Sequence, residues 1–111
     1  RGFYREVPDP GELAGRRVLV VDSGPDSLEL ALDLTGVTGR VIFVTSGREL
    51  PGDDDLRTRA KRSDIKLLLM SKVVEVSGEG EVEKVRVHDL DEFEDYDLFV
   101  DAVVSPAGSG T

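Results

Sequence analysis

VLVVDSGPDSLELALDL, residues Val18 to Leu34, carries a strand, a turn and a helix in direct succession. Val18-Leu19-Val20-Val21 is a β-branched apolar run with no polar interruption, the pattern of a strand buried on both faces. Asp22-Ser23-Gly24-Pro25 breaks it with turn chemistry, and Pro25 suits the first helical position, where a missing N–H is no loss. Leu28, Leu30, Ala31, Leu32 and Leu34 then give a broad apolar side, with Glu29 and Asp33 on the remaining face. This order opens a βαβ unit. The helix N-terminus at such a turn directs free N–H groups outward, where an anion can bind.

The same grammar recurs downstream. Gly36-Val37-Thr38-Gly39 is a stop signal, and Val41-Ile42-Phe43-Val44 is a second buried run, expected to lie parallel to the first. Thr45-Ser46-Gly47-Arg48 ends it. Asp53-Asp54-Asp55 then stands ahead of a basic segment, Leu56 to Arg62, as suits the two ends of a helix dipole. Lys66 to Leu69 predicts a third buried strand. Beyond it the period changes to two. Val73–Val76 and Val82–Val87 flank Ser77-Gly78-Glu79-Gly80-Glu81 and read as an antiparallel hairpin with one wet face. Asp89 to Asp97 is read as an acidic, solvated loop with at most a short strand near Tyr96. Leu98-Phe99-Val100 and Ala102-Val103-Val104 close the apolar pattern, and Ala102–Val104 is expected to return to the parallel sheet. The fold class is therefore α/β: a mainly parallel sheet with a helical layer on one side and an antiparallel β-meander on the other. Residues 1–15 read as a lead-in segment, which Phe3 and Tyr4 can dock, and 16–111 as one domain.

Composition narrows the function. With 111 residues, one real core is feasible. A hydrophobic content of 39% and a mean hydropathy of −0.20 fit a globular chain, and no apolar run approaches a membrane span. A net charge of −9 and a pI near 4.5 argue against nucleic acid or an anionic membrane as partner. There is no Cys and one His, so thiol chemistry, disulfides and a zinc site are not expected within this chain. His88, beside Asp89, reads as a surface residue. The sequence begins at Arg1 with no initiator Met, and reads as a processed product or a piece of a longer chain. A cytoplasmic location is expected.

Several segments, in order, resemble the pyridine-nucleotide-binding domain of the low-molecular-weight thioredoxin reductases and of the alkyl hydroperoxide reductase flavoprotein. These are RVLVVDSGPDSLELALDL (Arg17 to Leu34), VIFVTSGREL (Val41 to Leu50), VVEVSGEGEVEKVRV (Val73 to Val87), and Val100 to Val104 with Gly108 to Thr111. Gly2-Phe3-Tyr4 is similar to the residues that follow the family's redox Cys-x-x-Cys. The resemblance implies a Rossmann-like FAD/NAD(P)-binding fold and an oxidoreductase parent. It also implies a nucleotide site at Ser23, Gly24, Asp26 and Ser27 and at Thr45, Ser46 and Arg48, with no catalytic residue and no metal in this chain. FAD is implied only for a separate domain of a parent protein, and a flavin domain or another protein is the implied partner.

The fingerprint is degenerate. Its three glycine places fall on Asp22, Gly24 and Ser27, so a carboxylate stands where pyrophosphate should pass, and Pro25 removes a donor. After the second strand, Arg48 is the lone base and no acid stands at Thr45, so neither nucleotide signature survives. NADH or NADPH is thus expected to bind weakly, with no strong preference. Two alternatives stay open. One is a degenerate domain acting as scaffold or interaction module, or a reductase with another electron donor. The other is a receiver-like signalling domain, which the opening also resembles through Asp22, although Leu68-Leu69-Met70 offers no phosphoacceptor Asp.

Overall fold

The computed structural model describes residues 3–4, 14–77 and 84–104. The chain begins with β1 (Phe3–Tyr4), β2 (Val18–Val21), α1 (Pro25–Leu34) and β3 (Val41–Val44). Next come α2 (Asp54–Arg62) and β4 (Lys66–Leu68), then β5 (Ser71–Ser77), β6 (Lys84–Asp89), β7 (Glu94–Phe99) and β8 (Ala102–Val104). Two sheets result. One is wholly parallel, in the order β1-β8-β2-β3-β4, and the other is the antiparallel meander β5-β6-β7.

The period-two geometry of a strand explains how one run of apolar residues builds two cores. Val18 and Val20 point to the helical side, where they meet Phe43, Ala102, Val104, Leu28, Ala31 and Leu34. Leu19 points the other way and packs with Val44, Val103, Val85 and Val87 beneath the meander. Both faces of β2 are covered, so no polar residue fits between Val18 and Val20. Each fully buried Val or Leu of this kind contributes about 1.5–3 kcal/mol. The helices follow from their own sequences. Leu28, Ala31 and Leu34 recur at helical spacing on the buried face of α1. Asp53 caps α2 by accepting the Leu56 N–H at 2.9 Å, and Arg59, Lys61 and Arg62 end it.

The expected parallel set is present, with β4 ending one residue early at Leu68. Phe3–Tyr4 does dock, as a parallel edge strand whose partners are Val103 and Val104. The hairpin is present too, its strands running Ser71–Ser77 and Lys84–Asp89 with a register shift between Val73 and Glu75. Its expected turn, Gly78 to Glu81, lies outside the described residues.

One expectation is corrected. The acidic stretch is not a loop to Asp97: Glu94–Phe99 is a full third strand of the meander. Tyr96 and Leu98 face inward opposite Val87 and Val85, while Asp95 and Asp97 face outward opposite His88 and Arg86. The charges ride on one face of an alternating strand. Arg86 and Lys84 pair with Asp97, holding its carboxyl below the usual carboxylate range, and His88 Nδ1 meets Asp95 at the surface. The receiver reading falls with this finding, because the second half of the chain is an antiparallel sheet instead of further βα units. Among the described residues, no helix is long and apolar enough to cross a membrane.

Candidate functional site

The candidate site lies where β2 and β3 end side by side. Their parallel register pairs Val21 with Val44, so the next residues, Asp22 and Thr45, emerge together. Asp22 continues the ladder by donating its N–H to the Val44 carbonyl at 2.9 Å. Its side chain then turns back over the loop. One carboxylate oxygen accepts the Gly24 N–H at 2.8 Å, and the other accepts the Thr45 hydroxyl at 2.6 Å.

Ser27 closes the turn from the helix side. Its hydroxyl donates to the Gly24 carbonyl at 2.6 Å and accepts the Ser23 N–H at 2.9 Å. Only 1% of Ser27 is exposed, so the third fingerprint position is a small, packed residue, as a close helix–strand approach requires. Gly24 has φ 112° and ψ −174°, a conformation open essentially to glycine alone. It is the N-cap of α1 and no side chain caps that helix end. Pro25, at the first helical position, has no N–H to offer.

Thr45 is held on every side. It is 2% exposed, its N–H reaches the Leu68 carbonyl, and its carbonyl accepts the Ser71 N–H at 3.0 Å. Its hydroxyl also accepts the Gly47 N–H at 3.2 Å. The loop after β3 is thereby braced by the chain that leads into β5. The structure thus brings four of the expected residues, Ser23, Gly24, Ser27 and Thr45, into one network around Asp22. Asp26, Ser46 and Arg48 are exposed outside it, and Asp26 stands in the first turn of α1.

Asp22 is the residue whose role the sequence reading missed. Opposition to an incoming phosphate was legible, but the inward hydrogen bonds were not. A signal existed: each of Asp22 and Thr45 directly follows an apolar run, and parallel neighbours in register set such residues beside each other. Chemically, the loop carries its own anion. The Gly24 N–H and the Thr45 hydroxyl, donors that a pyrophosphate would seek, already serve a carboxylate. Among the described residues, no cluster of His, Asp or Glu is arranged to hold a metal ion.

No family model matches the chain. It is 29% identical over 92 residues to the alkyl hydroperoxide reductase flavoprotein (AhpF) of Staphylococcus aureus, covering 82% of this chain and 18% of that protein. A thioredoxin reductase of Streptococcus pyogenes superposes with a TM-score of 0.89 at 25% identity, over 97% of this chain and 36% of the other. A Lactococcus lactis thioredoxin reductase gives the same TM-score at 20% identity, over 97% of this chain and 37% of the other. The chain therefore spans under a fifth of the curated relatives it matches and about a third of the solved reductases. In fold and in sequence alike, its relatives are the thioredoxin reductases and the flavoprotein component of alkyl hydroperoxide reductase, as the ordered segments of the sequence imply.

Proposed function

We propose that the chain is the pyridine-nucleotide domain of a thioredoxin-reductase-like flavoprotein, with its affinity for NADH and NADPH weakened by its own Asp22. The fold, the ordered segments and the reductase relatives support the first half. One observation carries the second: the Asp22 carboxylate takes both the Gly24 N–H and the Thr45 hydroxyl.

A pyrophosphate entering here meets a like charge and has to displace those bonds. Two unit charges about 4 Å apart repel by about 4 kcal/mol at the effective dielectric of a protein surface. Arg48, exposed at the end of the β3 loop, returns about 1 kcal/mol at most. The penalty wins. FAD and electron transfer would belong to a separate domain of a parent protein, docked against this one.

Calorimetric titration of the chain with NADH and NADPH, before and after Asp22→Gly, tests the reading. Weak or unmeasurable binding that becomes measurable in the variant is expected. Micromolar binding by the unmodified chain overturns it, and so does a folded variant that gains nothing. The closed network also favours a second reading, a scaffold or protein-interaction module with no nucleotide at all. A folded Asp22→Gly variant that still binds neither nucleotide supports that reading over the first.

A further inference from the structure

A second feature lies away from the β2–α1 turn, along the outer flank of the parallel sheet. β4 is the last strand on that side, and α2 runs beside it. Between them a groove of about 110 Å³ is floored by Leu50, Leu67 and Leu69. Leu50 is 3% exposed and belongs to the helical-side core, whereas Leu69 is 40% exposed. The wall is cationic. Arg57 and Lys61 stand one helical turn apart on α2, and Arg48 reaches in from the β3 loop.

The wall is also incompletely satisfied. Arg57 Nε is buried and has no hydrogen-bond partner, the single such side-chain atom among the described residues. One η nitrogen of Arg57 lies 3.6 Å from the Glu49 carboxylate, a loose contact to a side chain that is 76% exposed. Neither Lys61 nor Arg48 has an ion-pair partner among the described residues. A positive recess of this kind is unexpected on a chain of net charge −9.

We propose that this groove binds a small organic monocarboxylate, its apolar end on the three leucines and its carboxylate accepting the Arg57 Nε–H. The volume corresponds to about three or four water molecules, so the ligand is a short one. A bare phosphate ion satisfies the cations but leaves the leucine floor facing a hydrated dianion. A short amphiphilic anion satisfies both. Charge-assisted hydrogen bonds of this type are the strong ones, because the guanidinium fork matches carboxylate geometry.

The test is an NMR titration of the isotope-labelled full chain with 3-methylbutanoate, with 3-methylbutan-1-ol and inorganic phosphate titrated separately. Saturable shifts at Arg57 Nε–Hε and at the Leu67 and Leu69 methyls are expected from the carboxylate, in the millimolar range, and not from the alcohol. Arg57→Gln and Lys61→Gln should each weaken the binding, Arg57→Gln by about tenfold or more. Lys61 is exposed on α2, so Lys61→Gln decides if the Arg57 variant proves unfolded. Shifts that never saturate, that the alcohol reproduces, that persist in the folded Arg57 variant or that centre on Ser23 to Ser27 overturn the proposal. Equal or tighter binding of phosphate overturns the assignment to a carboxylate.

Discussion

Thr45 donates its hydroxyl proton to the Asp22 carboxylate across 2.6 Å, and this single bond fastens the β2–α1 turn to the end of β3. Thr45 is 2% exposed, so no water can readily take its place. Thr45→Val keeps the shape and removes the donor. The expected loss is about 1.5–3 kcal/mol, the range for a hydrogen bond to a charged group. Urea unfolding checks it through a lower midpoint at unchanged slope. A loss within experimental error refutes the role given to this bond.

Gly24 separates strain from crowding. A Cβ built there meets nothing within 4 Å, yet φ is +112°. Gly24→Ala should therefore cost about 1–3 kcal/mol through backbone conformation alone. The substitution is also expected to disturb the Gly24 N–H bond to Asp22, visible as a shift of that amide in an NMR spectrum. An alanine variant as stable as the parent refutes the strained turn.

Arg17 and Asp101 give a pH dependence with a definite sign. Arg17 reaches the carboxylate with both its side-chain and its backbone N–H groups, and holds the Asp101 carboxyl below the usual carboxylate range. A carboxyl lowered in the folded state contributes stability that is complete above its unfolded value, about 3.9, and is lost as pH falls through the folded value. The pair is about two-fifths exposed, so solvent screening limits the effect to about 1 kcal/mol. Stability measured from neutral pH into the acid range should fall less steeply below about pH 4 in Asp101→Asn than in the parent. Parallel curves rule this out.

The chain on its own should reduce no disulfide and no dye with NADPH. It has no Cys, and the resemblance assigns flavin to a separate domain. A spectrophotometric assay of pure, flavin-free protein checks this. Turnover of NADPH by such a sample contradicts it.

Most of the layered architecture was legible because apolar runs and turn residues are local signals. Val18–Val21 and Val41–Val44 have the same bounds in the sequence and in the structure. Glu94–Phe99 was misread because five acidic residues from Asp89 to Asp95 drew attention to charge, while the decisive signal was the alternation of Tyr96 and Leu98. Only pairing with β6 makes that alternation meaningful. At the site, the residue types were legible but the direction of the Asp22 carboxylate was not. Its rotamer is set by Thr45, twenty-three positions away in the chain, and no local propensity encodes that distance. The groove along α2 was illegible for the same reason, since Arg48, Arg57 and Leu69 meet only through the packing of three elements.

β7 has a further consequence for how the molecule behaves in company. It is an outer strand of the meander, and an outer strand leaves a row of backbone groups open to any other chain that can extend alongside. Glu94, Asp95 and Asp97 stand along that row. A second copy lining up there in antiparallel fashion would set its own acids against them, and like charges directly opposite each other are destabilising. The acidic run that looked like mere solvation thus keeps a chain with an unpaired strand from growing into a fibre of its own kind.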